Sequence, residues 1–112
     1  MAYGTEYNFP LIVPMPLIAV DDDLIRLTVP DALLISKIQA SLQALAAGTC
    51  TFQVIAGGVT TTIPVTIAKT VTESAGLTTY VGAGGLIRIG ATGIGTTPLG
   101  GVVTIWCRLA RD

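Results

Sequence analysis

Apolar and polar residues alternate with a period of two along most of the chain from residue 23 onward. A period of two places successive side chains on opposite faces of a β-strand, so it predicts strands with one buried face. Glycines and prolines separate the alternating runs, as they do at turns. The predicted strands, in chain order, are 23–29, 35–42, 50–55, 59–68, 77–81, 86–92 and 102–109. Several short strands separated by turn signals predict an all-β sandwich or barrel.

One stretch, LLISKIQASLQALAAG at residues 33–48, fits two periods. Four of its apolar residues recur at helical spacing, and its Ala, Leu, Gln and Lys are good helix formers. These four are Leu34, Ile38, Leu42 and Leu45. Residues 37–43, in contrast, alternate strictly, and β propensity is decided largely by context. Because strands are predicted on both sides, we predict a strand at 35–42 and a loop at 43–48, with a helix as the alternative.

Residues 1–22 differ from the rest of the chain. The run FPLIVPMPLIAV contains three prolines, which exclude a regular helix and a central strand. We therefore expect an extended apolar arm at 1–22 followed by a β-sandwich domain at 23–112. The arm packs either over its own sandwich or onto a neighbouring subunit, and the sequence leaves both open. The arm residues expected to contact a partner are Leu11, Ile12, Val13, Met15, Leu17 and Ile18.

The low charge of the chain indicates association. Charged residues make up 12% of the sequence, apolar residues make up 51%, and the net charge is −1. Ordinary domains carry about 25% charged residues, and a near-neutral surface promotes association. We expect copies of the chain or a larger assembly to cover much of its surface. The scattered basic residues favour neither nucleic acid nor a membrane as partner, and the longest apolar run is too short and interrupted for a membrane span.

The sequence contains no histidine, which removes Ser–His and Cys–His nucleophile pairs and the commonest metal ligand. We expect no catalytic, cofactor or metal site, and hence not an enzyme. The acidic run at residues 21–23 lacks the spacing of a calcium loop, so a solvated run is expected and a cation is the alternative. Cys50 and Cys107 are either buried free thiols or a disulfide. Trp106, on the opposite face of its strand from Cys107, is expected to anchor the core or an interface.

Residues 33–110 resemble a β-sandwich module of tailed-bacteriophage virions. In that module a strand like KIQASL leads through an A-x-x-G loop into a strand like TCTFQV, and a glycine turn and a V-T-I strand follow. An L-I-R-I strand, a loop with Gly95, Thr97 and Gly101, and a terminal V-T-I strand close it. The first hairpin has AGG where the module usually has N-G, which leaves the turn length open. Residues 1–30 lie outside the resemblance.

The resemblance implies a jelly-roll-like β-sandwich that decorates capsids or forms part of tail fibres and spikes, and it supports a strand at 37–43. Our hypothesis is a capsid decoration (cement) protein on the outside of the virion, made in the host cytoplasm. It would bridge subunits of the major capsid protein and associate with copies of itself as a homotrimer. Deleting residues 1–20 is expected to abolish this binding and to leave the sandwich folded. The alternatives are a tail-fibre or baseplate module and a host-glycan-binding module that uses Trp106.

Overall fold

The computed structural model describes residues 8–16, 18–74 and 77–110. These residues form nine strands and no helix. The strands are β1 (Phe9–Met15), β2 (Asp21–Thr28), β3 (Leu33–Ser41), β4 (Cys50–Ala56), β5 (Val59–Val65), β6 (Thr72–Ser74), β7 (Thr79–Val81), β8 (Leu86–Gly93) and β9 (Gly101–Leu109).

The strands form two antiparallel sheets. The five-stranded sheet has the order β1-β9-β3-β6, with β7 pairing with β3 beside β6, and the four-stranded sheet has the order β2-β8-β4-β5. Since β6 and β7 pair with successive parts of β3, they occupy one strand position together. Eight strand positions in two sheets, with the chain crossing repeatedly from one sheet to the other, form a jelly roll. The predicted all-β, jelly-roll-like sandwich is confirmed.

The core lies between the two sheets and is built from the alternate residues of each strand. In β4, Cys50, Phe52, Val54 and Ala56 are buried, while the residues between them are partly exposed. The largest fully buried side chains include Phe52, Ile63, Ile87, Ile89 and Ile105. The period-two pattern of the sequence therefore marks the inner faces of the sheets.

The ambiguous stretch is a strand with a bulge. Ile35 lies opposite Cys107 and Lys37 lies opposite Trp106, so Ser36 is an extra residue in β3. Leu33 and Ile35 are buried before this bulge, and Ile38 and Ala40 are buried after it. The bulge shifts the phase of the alternation between Ile35 and Ile38, so that residues three apart both point into the core. The strand prediction is confirmed, and the helix alternative is wrong.

Most of the segment expected to be an arm forms the edge strand β1. It pairs with β9 along its whole length, from Phe9 opposite Cys107 to Met15 opposite Gly101. The side chains of Val13 and Met15 are 6% and 1% exposed and belong to the core. In the single chain, residues 9–15 therefore pack on their own sandwich. β2 begins at Asp21, just before the expected boundary at residue 22.

Other boundaries differ locally from the expectations. β5 ends at Val65, β7 begins at Thr79, and the short strand β6 lies in a segment that was not expected to form one. The first hairpin turn has two residues, Gly57 and Gly58, with φ angles of +56° and +76°. Positive φ at both positions defines a type I′ turn, which is why glycines stand there.

Each of the four edge positions of the two sheets carries an irregularity or a short strand. β1 contains Pro10 and Pro14, and β5 contains Pro64. The register of β2 shifts between Asp21 and Ile25, where the chain arches over Gly90. β6 is only three residues long.

Candidate docking surfaces

Four loops meet at one end of the sandwich, and we call this surface the loop end. They are 16–20 (described except for residue 17), 42–49, 66–71 and 94–100, and the strand registers place them at the same end. Backbone hydrogen bonds join three of them: the N–H of Gln43 donates to the carbonyl of Leu99 (2.9 Å), and that of Lys69 donates to the carbonyl of Leu42 (2.7 Å). Hydrogen bonds therefore hold these three loops of the loop end together.

The loop end is apolar and almost without charge. Lys69 is the single charged residue in its four loops. The side chains of Val20, Ile67, Val71 and Leu99 are 58–65% exposed there. Exposed apolar residues that cluster in this way mark interaction surfaces on soluble proteins. The sequence analysis did not predict this surface, because the convergence of the four loops depends on the strand registers.

The structure distributes the predicted arm contacts over three environments. Val13 and Met15 are core residues, so they cannot contact a partner while β1 is paired with β9. Leu11 and Ile18 are partly buried and pack against the core. Ile12 remains 66% exposed. Leu17 lies outside the described residues.

Trp106 lies on the outer face of the five-stranded sheet, half-buried, while Cys107 points into the core. Its indole Nε1–H donates a hydrogen bond to Oε1 of Gln39 (2.8 Å), and Nε2 of Gln39 donates to Oε1 of Glu73 (3.0 Å). The ammonium group of Lys37 lies 5.7 Å from the centroid of the indole ring, within cation–π range. These contacts fix the ring on the sheet surface.

A hollow of about 430 Å³ opens beside this ring, lined by Asn8, Ser36, Lys37 and Trp106. The bulge in β3 leaves both Ser36 and Lys37 partly exposed between the buried Ile35 and Ile38. Without the bulge, strict alternation would direct one of them into the core. The hollow is thus a product of the bulge.

An apolar groove of about 340 Å³ lies at the opposite end from the loop end, where the edge strands β1 and β2 face each other across the sandwich. Phe9, Leu11, Leu27, Leu33 and Leu109 supply most of its apolar lining. β1 begins beside this groove, at Phe9.

Both cysteines are buried free thiols, so the disulfide alternative is wrong. Burial raises the pKa of the Cys107 thiol to about 11, and it raises the pKa of Cys50 as well. The Cys107 thiol donates to the carbonyl oxygen of Phe9, with a sulfur–oxygen distance of 3.6 Å. This contact adds to the pairing of β1 with β9.

Hydrogen bonds within residues 21–26 order the acidic run at residues 21–23. Oδ1 of Asp21 accepts the backbone N–H of Asp23 (3.0 Å), and Nε of Arg26 donates to both carboxylate oxygens of Asp23 (2.8 and 3.0 Å). The hydrogen bond from Arg26 lowers the pKa of Asp23. Within the described residues, no group of three or more His, Cys, Asp or Glu side chains is arranged to hold a metal ion.

Comparison with models of protein families, with curated proteins and with solved structures finds no match to this chain. In the part of the chain that the structure describes, no helix has the length and apolarity needed to cross a membrane.

Proposed function

We propose that this chain is a structural protein of a tailed-bacteriophage virion, a decoration (cement) protein that binds the outside of the capsid and reinforces it. Its partners are the major capsid protein and copies of itself in a homotrimer, with no role for nucleic acid or a membrane. Like other decoration proteins, it would carry out no catalysis. The proposal starts from the resemblance of residues 33–110 to virion β-sandwich modules.

The observation that supports it most strongly is the loop end. A sandwich with one apolar end that carries a single charged residue, Lys69, suits docking on a protein surface, because burying apolar area contributes about 25 cal/mol per Å². Protein interfaces of standard size bury roughly 800 Å² per partner. A smaller contact repeated in every copy of an oligomer still gives firm attachment, because later contacts form at high effective concentration.

The loop end, and not the arm, is the capsid contact in this proposal. Val13 and Met15 serve the core of their own chain, whereas Ile67 and Leu99 are about two-thirds exposed on loops held together by backbone hydrogen bonds. Ile12 remains available as a secondary contact on the outer side of β1.

The test uses capsids from a phage that carries this gene, grown with the gene deleted. Wild-type protein added to such capsids is expected to co-sediment with them. The variant Leu99→Asp is expected to lose binding, because its carboxylate would be buried without a partner in the interface. The matched control is Val59→Asp, which places the same charge on an exposed apolar position at the opposite end. It is expected to bind like the wild type.

Equal binding by Leu99→Asp and wild type would remove the loop end as the docking surface. The tail-fibre or baseplate alternative predicts a different location in the virion. Gold-labelled antibody against the chain should label capsid faces under our proposal. Labelling confined to the tail would overturn it in favour of that alternative.

A further inference from the structure

The outer face of the five-stranded sheet carries an ordered polar array that docking through the loop end does not use. Trp106, Gln39 and Glu73 are joined in series by side-chain hydrogen bonds across three strands, β9, β3 and β6. Lys37 lies over the indole ring. Side chains held in this way lose little conformational freedom on binding a ligand, so the array is preorganised.

The bulge at Ser36 strengthens this interpretation. A β-bulge interrupts the hydrogen bonds between two strands. Bulges are over-represented next to functional sites, where they change the direction of a side chain. Here the bulge lies next to Trp106 and leaves Ser36 and Lys37 at the surface together. The Ser36 hydroxyl donates to the carbonyl of Trp106 (3.2 Å), and its oxygen still has acceptor capacity.

We propose that the hollow beside Trp106 binds an acidic saccharide, a pyranose that carries a carboxylate. Its volume of about 430 Å³ is in the range of small-molecule sites. The lining combines an aromatic ring, an ammonium group, an amide and a hydroxyl, from Trp106, Lys37, Asn8 and Ser36. This set matches the C–H face, the carboxylate and the hydroxyl groups of such a sugar.

Charge decides between a neutral and an acidic sugar. Among the described residues, Lys37 is the single charged residue in the lining of the hollow, and it is positive. Arg108 lies on the same face, two positions along β9. The one acid of the array, Glu73, accepts a hydrogen bond from Gln39 and does not line the hollow. A carboxylate at the Lys37 ammonium gains a charge-assisted hydrogen bond that a neutral sugar does not.

The site is independent of the proposed function. It lies on a sheet face, whereas docking uses the loop end, so loss of capsid binding leaves saccharide binding intact and the reverse also holds. On a decorated capsid, such a site would let the particle adhere to acidic polysaccharide.

Trp106 is the single tryptophan of the chain, so intrinsic fluorescence reports on this site directly. The probes are glucuronic acid and N-acetylneuraminic acid, with glucose as the neutral comparison and acetate as the anion without a sugar ring. The acidic sugars are expected to change the emission saturably at millimolar concentration. Glucose is expected to bind about tenfold more weakly, equivalent to losing one interaction of ~1.4 kcal/mol.

Two variants separate the site from unspecific charge effects. Lys37→Gln is expected to lose the preference for acidic sugars. The control is Lys69→Gln, which changes the chain's other lysine, at the loop end, and is expected to keep that preference. Asn8→Ala, at an exposed position of the lining, is expected to weaken all sugars and keeps the test valid should Lys37→Gln unfold.

Three results would overturn the proposal. The first is no saturable change with either acidic sugar. The second is an emission change with glucose or with acetate equal to that with the acidic sugars. An equal change with acetate means an adventitious ion only. The third is an emission change that follows protein concentration instead of sugar, which makes this face a contact between copies of the chain.

Discussion

Replacing Met15 by alanine tests whether β1 is an integral strand of the sandwich. The Met15 side chain is 1% exposed, and it packs beside Gly101, where an added Cβ would lie 3.3 Å from the Cβ of Met15. Truncating a buried methionine to alanine costs about 2–5 kcal/mol, because it removes buried apolar atoms and leaves a cavity. Typical domains have a total stability of about 5–15 kcal/mol, so the loss is a large fraction.

The assay is urea unfolding followed by circular dichroism. With a denaturant slope of about 2 kcal/mol per molar, Met15→Ala is expected to lower the urea midpoint by roughly 1–2.5 M. Ile12→Ala is the matched control, since Ile12 lies in the same strand but is 66% exposed. Its free energy of unfolding is expected to stay within about 0.5 kcal/mol of the wild type.

A Met15→Ala variant as stable as Ile12→Ala would refute the assignment of β1 to the core and make residues 9–15 a detachable arm. The same reasoning reverses the expectation for deletion of residues 1–20. That deletion removes Val13 and Met15 from the core and leaves β9 as an unpaired edge. It is therefore expected to destabilise the sandwich, which is why point variants at the loop end test docking more cleanly.

Two further predictions concern stability. Burial raises the pKa of the Cys107 thiol from its ordinary 9.0 to about 11. Between these pH values the folded state keeps a proton that the unfolded thiol loses. The contribution of Cys107 to the stability of the fold is therefore complete below about pH 9 and is lost as the pH rises to about 11. A pKa difference of about two pH units corresponds to a loss of about 3 kcal/mol, measured as the free energy of unfolding against pH. In Cys107→Ala, the loss of stability between about pH 9 and about pH 11 is expected to be smaller by that amount. A free energy of unfolding that depends on pH as in the wild type would contradict the burial of this thiol. Gly90→Ala is expected to destabilise by about 1–3 kcal/mol or more, because its Cβ would overlap the backbone of Asp21 in the bulge of β2, whereas Gly93→Ala meets nothing within 4 Å and should be nearly neutral. Thermal melts of the two alanine variants check this, and equal melting temperatures would count against the close approach of β2.

The sequence predicted the fold class and most strands because the buried faces follow a period of two. The sequence did not predict strands whose pairing with a neighbouring strand involves few apolar residues. β6 has the sequence TES and pairs with β3 through its backbone, so it gives no hydrophobic signal. The prolines of the first segment excluded a central strand, yet they are compatible with an edge strand, which is what β1 is.

The candidate surfaces were harder to predict than the strands. The sequence pointed to Trp106 as an anchor of the core or of an interface, but the hollow beside this ring depends on the bulge at Ser36. The position of a bulge is defined by the partner strand, so the alternation of β3 alone does not locate it. The loop end draws on four loops that are far apart in sequence. Their meeting is a property of the sheet registers, which local patterns do not encode.

The irregular sheet edges bear on whether copies of this sandwich can add to one another without limit to form fibres. An exposed regular edge is a template onto which another chain can add a strand, and the process repeats without limit. Here Pro10, Pro14 and Pro64 have no N–H to offer such a strand, the acidic arch of β2 repels one, and β6 is too short to seat it. Strand addition at these edges is thereby disfavoured, so the association that we propose would use the faces and ends of the sandwich.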